Sequence, residues 1–153
     1  MSDSNTLLLE LNTGTVTINL RPDLAPGHVA RIKELVGEGF YDGLGFHRVI
    51  EGFMAQGGCP LGNGTGGSGQ NLRAEFSAEP HVRGTCSMAR AQSPDSADSQ
   101  FFICFDAAPH LNGQYTVWGE VSEGIELIDG LKRGAPGSGA VNEPDLIVSM
   151  KLA

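Results

Sequence analysis

An arginine inside an apolar strand is costly unless it is paired or lines a cleft, because a buried charge without partners opposes folding. Arg48 stands in such a run, Phe46-His47-Arg48-Val49-Ile50, followed closely by Gly52-Phe53-Met54-Ala55-Gln56-Gly57-Gly58. Strand alternation predicts Phe46, Arg48 and Ile50 on one face and His47 and Val49 on the other. The run alone leaves two readings open: a guanidinium aimed into a cleft, or an edge-strand arginine whose head reaches water.

Other chemistries find less support. Gly62-Asn63-Gly64-Thr65-Gly66-Gly67 satisfies GxGxxG, and Gly64 to Gly69 satisfies it again. Polar Gln70-Asn71-Leu72-Arg73 follows instead of an apolar helix, so the glycines do not read as a dinucleotide fingerprint. His28, His47, His81 and His110 lack the i, i+4 spacing of a zinc peptidase and have no CxxC nearby, so no metal site is expected. No GxSxG surrounds a serine, which leaves nucleophilic acyl transfer without local support. An enzyme built on this chain would use neither covalent nor metal chemistry and no cofactor.

The elements that must position Arg48 are mostly strands. The 153 residues suit one domain, 1–153, with 1–5 a flexible polar N-terminus, and 22 glycines with 8 prolines imply frequent turns. Leu7, Leu9 and Leu11, a turn at Asn12-Thr13-Gly14, then Val16, Ile18 and Leu20 predict a hairpin with one apolar face. Val29, Ile32, Leu35 and Val36 predict an amphipathic helix, closed by Gly37 and Gly39. Short strands are expected at 46–50, 53–56, 84–89, 100–105 and 115–121, and a second helix at 123–132. Gly57 to Gly69 reads as an ordered or mobile loop. Leu146, Val148, Met150 and Leu152 alternate strictly, which predicts a half-buried strand. Many short strands and two covering helices suggest a closed barrel, since closure removes exposed edges.

Ten basic against eighteen acidic residues give a formal charge of -8, which disfavours nucleic acid and anionic lipid as partners. Residues 1–6 are polar and no long apolar run exists, so a cytoplasmic location without membrane attachment is expected. Cys59, Cys86 and Cys104 make an odd count without paired spacing, which fits a reducing compartment. Cys86 and Cys104 lie in apolar stretches and read as small core residues.

The block from Phe46 to Gly58 resembles the central signature of the cyclophilins. Asn63-Gly64-Thr65-Gly66-Gly67, Ser87-Met88-Ala89, Ser99-Gln100-Phe101-Phe102-Ile103-Cys104, Leu111-Asn112-Gly113 and Val117-Trp118-Gly119 resemble successive blocks of the same family. The likeness spans roughly residues 6–153 and is nearest to the short cytosolic bacterial forms. It implies a closed eight-stranded antiparallel β-barrel capped by two α-helices, and peptidyl-prolyl cis/trans isomerase activity that assists protein folding. The partners implied are proline-containing peptides and unfolded clients, and a monomer is expected.

By motif match, Arg48 takes the catalytic position. Phe53, Met54, Phe102 and Leu111 would receive the proline ring, with Ile50 nearby. Gln56, Ala89 and Arg90 would hold the peptide, and His47 sits beside the arginine. His110 stands where many eukaryotic members carry tryptophan, Tyr115 where they carry histidine, and Arg90 where asparagine is usual. These departures imply weak cyclosporin binding, and Arg90 beside the groove suggests a preference for acidic peptides. Trp118 reads as structural. A module that holds proline segments of clients, with incidental turnover, remains the alternative; an intact Arg48 favours catalysis.

Overall fold

Alternating leucines and β-branched residues make the first hairpin, because a strand with one apolar face gains most by burying it against a partner of the same pattern. β1 (Thr6–Leu11) and β2 (Gly14–Leu20) pair antiparallel with Leu7 opposite Ile18 and Leu9 opposite Val16. All four side chains are fully buried. The computed structural model describes residues 4–153. Of the expected flexible stretch 1–5, residues 1–3 lie outside the described residues. The Asn5 carbonyl accepts from the Leu20 N–H at 2.7 Å, and its side-chain oxygen accepts from Lys33 Nζ at 3.0 Å.

α1 (Pro26–Gly37) starts with proline at its first turn and buries Val29, Ile32, Leu35 and Val36, the face expected from their spacing. The Glu75 carboxylate caps it, accepting from the Gly27 and His28 N–H groups at 3.0 and 2.8 Å. Five strands follow: β3 (Arg48–Ile50), β4 (Met54–Gly57), β5 (Thr85–Met88), β6 (Phe101–Cys104) and β7 (Val117–Glu123). α2 (Ile125–Asp129) and β8 (Ser149–Leu152) complete the chain. α2 is shorter than the expected 123–132, because Glu123 still belongs to β7 and Gly124, with φ +88°, turns the chain before the helix.

The strands form one antiparallel sheet in the order β3-β4-β6-β5-β7-β2-β1-β8. The closed barrel expected from the sequence is corrected here: the sheet curls into a half-barrel and stays open, with β3 and β8 as unjoined edges. The chain that could have closed it, 130–148, carries Gly130, Gly134, Gly137, Gly139, Pro136 and Pro144, and proline supplies no ladder N–H. That chain crosses the seam irregularly, through single bridges of Leu146 to Gly45 and Ala140 to Arg48.

The strict alternation read at the C-terminus fails for the same reason. Leu146 and Val148 are about half exposed, whereas Ile147 and Met150 are buried. Ile147 is pinned before the strand begins, donating to the Leu44 carbonyl and accepting from the Gly43 N–H. Only from Ser149 does the ladder to β1 set the side-chain phase.

Inside the curl, Phe101 meets Tyr41, Phe46 and Trp118 edge-on at centroid distances of 5.6, 6.2 and 5.8 Å. Trp118 is fully buried, the structural place expected of it. Cys59, Cys86 and Cys104 are free thiols, all buried. No helix among the described residues is long and apolar enough to cross a membrane. Leu9→Ala should cost about 2–5 kcal/mol, since it opens a cavity at a fully buried position between Val16 and Met150. Urea unfolding measures this; a loss below about 1 kcal/mol would mean that the site collapses around the missing atoms.

Candidate active site

Residues paired across adjacent strands point to the same face, and the register of β3, β4, β6 and β5 sorts the middle of the sheet into two surfaces. Val49, Ala55, Ile103 and Cys86 are matched across the four strands and join the main core. Arg48, Gln56, Phe102 and Ser87 are matched likewise one residue away, and so face outward. On that outer face Met54, Phe102, Cys104, Ala108 and Leu111 form a second apolar cluster, against which Ile50, Phe53, Ala89 and Tyr115 pack. β5 and β6 are therefore buried on both sides along their whole length, which explains the unbroken apolar run Phe101-Phe102-Ile103-Cys104 of β6; in β5 the buried hydroxyls of Thr85 and Ser87 are hydrogen-bonded.

Phe46 departs from the expected alternation. It is buried in the main core although Arg48 faces out, because the ladder begins only at Arg48 and residues 46 and 47 lie ahead of it.

The second cluster floors a cleft of about 320 Å³. Arg48 and Gln56 stand at one side, and Phe53, Met54, Phe102 and Leu111 supply apolar surface. Ala89, Arg90, His110 and Tyr115 complete the lining. Phe53 and His110 approach to 5.5 Å, and Tyr115 meets Phe102 edge-on at 5.7 Å. His47 and Ile50 are not in the lining. His47 is buried with no hydrogen-bond partner at either ring nitrogen among the described residues, and burial, aided by the neighbouring Arg48 charge, lowers its pKa below the usual histidine value. Ile50 lies on the same outer face, opposite Met54, and packs at the edge of the second cluster.

Arg48 is exposed yet braced. Its Nε donates to the Ser138 carbonyl at 3.1 Å and its Nη1 to Gln56 Oε1 at 3.2 Å. Gln56 Nε2 donates in turn to Gln100 Oε1 at 2.9 Å, and Gln100 Nε2 donates to the carbonyls of Gly64 and Gly66, both at 2.9 Å. Those two carbonyls decide which way both amides point, since only an NH₂ group can face them. Gln56 must then offer its oxygen to Arg48.

Arg90 is held by its own neighbourhood. Its Nε and Nη2 donate to the Gln114 carbonyl, its Nη1 donates to the carbonyls of Ala91 and Gln92, and its guanidinium lies 4.6 Å over the Tyr115 ring. These donors fix the guanidinium against the loop carbonyls and the Tyr115 ring, with its charge still at the cleft lining.

Behind Phe102, His81 stacks on the ring at 6.1 Å and is held at both nitrogens, by Ser87 Oγ at 2.9 Å and Asn112 Oδ1 at 3.2 Å. Burial lowers the His81 pKa. Sequence reasoning missed Gln100, Ser87, Asn112 and His81 as site residues. The first three lie within the recognised blocks, but His81 was legible only as a rejected metal ligand. The glycine-dense loop is tied down by hydrogen bonds to Asp98 and Gln100, and Gly64 to Gly67, with Asn71, Ser96 and Asp98, wall a polar basin of about 280 Å³ that shares Gln56, Ala89 and Arg90 with the cleft. No helix follows these glycines, so the dinucleotide geometry is absent.

Residues 6–152 match the family described as cyclophilin type peptidyl-prolyl cis-trans isomerase/CLD. The chain belongs to this family. Among its relatives, the "Probable peptidyl-prolyl cis-trans isomerase" of Brucella suis is 55% identical over 161 residues, covering 97% of this chain and 82% of that protein. Peptidyl-prolyl cis-trans isomerase B of Bacillus subtilis is 49% identical over 121 residues, covering 78% and 84% respectively. A Cryptosporidium parvum cyclophilin-type isomerase, solved in the presence of the dipeptide Ala-Pro, superposes with a TM-score of 0.89 at 29% identity, covering 97% of this chain and 98% of that one. The protein is thus a cyclophilin-type peptidyl-prolyl cis-trans isomerase.

Gln100→Ala in this cyclophilin should lower kcat/KM about fivefold, the worth of roughly one net hydrogen bond, because Gln56 is then free to turn its amide away from Arg48. Steady-state isomerisation of an X-Pro peptide tests it, and an unchanged kcat/KM would show that Gln56 needs no support.

Proposed function

We propose that Arg48 is the catalytic residue and that the cleft beside it receives the proline of a peptide or unfolded protein. The observation that carries this reading is a guanidinium anchored at two nitrogens on the rim of an apolar cleft, with no protein partner at Nη2 among the described residues.

Rotation about an X-Pro bond must break amide resonance at a cost of about 18–20 kcal/mol, while the two isomers differ by only about 0.5–1 kcal/mol. Only the barrier has to fall. In the twisted state the proline nitrogen becomes pyramidal and regains a lone pair, to which a guanidinium N–H can donate at that moment and not before. A guanidinium keeps its charge throughout and presents rigid donors.

One charge-assisted hydrogen bond contributes about 1.5–3 kcal/mol, whereas an acceleration of about 10⁵ requires about 7 kcal/mol. The remainder falls to the pocket. Phe53, Met54, Phe102 and Leu111 hold the ring while the preceding carbonyl swings, and they exclude the water that favours the planar amide. Gln56 and the backbone at Ala89 and Arg90 hold the flanking peptide, which continues toward the polar basin. Ile50 borders the apolar cluster that floors the cleft, and His47 is buried next to Arg48 in the chain. In this reading the chain is a single-domain monomer that assists folding of clients in the cytoplasm, where its three free thiols stay reduced.

Arg48→Ala should lose most isomerase activity and keep its thermal unfolding midpoint, because the side chain is exposed. Near wild-type turnover in that variant would remove Arg48 from the mechanism. His110 bears on a second outcome. A tryptophan at the rim would add a larger apolar face and an indole donor, and losing an aromatic anchor typically costs about 2 kcal/mol, more than tenfold in affinity. Cyclosporin should therefore inhibit the wild type weakly and His110→Trp more tightly, with peptide turnover similar in both. Inhibition titrations decide it: tight inhibition of the wild type, or no gain in the variant, contradicts the assignment.

A further inference from the structure

Residues 134–140 form an arch against the outer edge of β3. Gly134 N–H donates to the Val49 carbonyl at 2.8 Å, Val49 N–H to the Gly139 carbonyl at 2.8 Å, and Val141 N–H to the His47 carbonyl at 3.0 Å. Within the arch, Ala135 N–H donates to the Ala140 carbonyl and Gly139 N–H to the Ala135 carbonyl, at 3.0 and 2.8 Å. Arg133 fastens its foot: Nη1 donates to the Asp129 and Leu131 carbonyls, the guanidinium lies 4.2 Å over the Phe105 ring, and Nε pairs with Glu51.

At the crown the Ser138 carbonyl accepts from Arg48 Nε. Gly139, next to it, has φ +74°, and a Cβ there would fall 2.5 Å from Ile50 Cγ1 and 3.2 Å from Arg48 Cγ. The backbone thus rests directly on both side chains. None of the arch residues lines the cleft.

The geometry points to the arch 134–140 as a positioning element of the isomerase, whose Ser138 carbonyl holds the Arg48 guanidinium in its working plane. The inference rests on the assignment of Arg48 as catalytic residue. One acceptor at Nη1 would let an exposed arginine swivel. A second acceptor at Nε, offered by a different part of the chain, fixes the plane and leaves Nη2 for the substrate. A lysine ammonium could donate to one acceptor but has no plane for the arch to fix.

The test combines side-chain NMR with kinetics on the whole protein. In the wild type, the Arg48 Nε–H signal, assigned by its absence in Arg48→Lys, should be resolved and slow to exchange with water. In Gly139→Ala, where the added Cβ lifts the crown, that signal should move and exchange faster. There kcat should fall about fivefold, as for one lost hydrogen bond, with KM for an X-Pro peptide within about twofold because the proline pocket is untouched. Placed on Arg48→Lys, Gly139→Ala should cause no further loss.

Three results overturn the proposal: a wild-type Nε–H that exchanges as in a free arginine, an unchanged kcat once the signal has moved, or an equal loss in the Arg48→Lys background. If Gly139→Ala does not fold, the wild-type signal alone decides. A failure of the catalytic assignment is distinguishable, since Arg48→Ala would then retain turnover while the wild-type Nε–H stayed protected.

Discussion

A guanidinium can meet a lone pair that exists only in a twisted transition state if it is already held in the right plane. Arginine carries about 2 kcal/mol of rotamer entropy, comparable with the bond that the proposed role of Arg48 asks of it, so in that role an unbraced side chain would forfeit much of its effect. In this cyclophilin the bracing comes from both directions. The Ser138 carbonyl takes Nε, and Gln56, oriented through Gln100 by two glycine carbonyls, takes Nη1. The two supports come from segments far apart in sequence.

That arrangement depends on using both faces of one sheet. The face bearing Val49, Ala55, Ile103 and Cys86 closes the core, while the face bearing Arg48, Gln56 and Phe102 is free for chemistry. A rigid core on one side makes the other a stable platform, with Phe102 further steadied by His81 from behind. Burial also keeps the cleft floor inert: the Cys104 thiol has its pKa pushed up to about 12, so it behaves as a small apolar group.

The open seam belongs to the same design. A closed ladder would have paired β3 with β8 and left no place for the arch. Instead the glycine- and proline-bearing chain 130–148 crosses the gap, satisfies the β3 edge through Val49, and brings the Ser138 carbonyl to Arg48. An unpaired edge is ordinarily a liability, and here irregular chain covers it.

Local pattern by itself determined the hairpin Leu7 to Leu20, the apolar face of the first helix and the β-rich class, because side-chain periods of 2 and 3.6 follow from backbone geometry. Motif blocks identified the family and named every residue that lines the cleft. Only the tertiary structure decided the rest, and in each case a contact distant in sequence was responsible. Phe46 turned inward because the ladder starts at Arg48, and Ile147 displaced Leu146 and Val148 from the core because Gly43 and Leu44 pinned it. The Arg90 donors were spent on loop carbonyls that no spacing rule foretells. Gln100 gained its role from carbonyls more than thirty residues away, and the seam stayed open because glycine and proline deny it a ladder. Periodicity records which face a residue prefers; which partner awaits it on that face is settled only when the chain has folded.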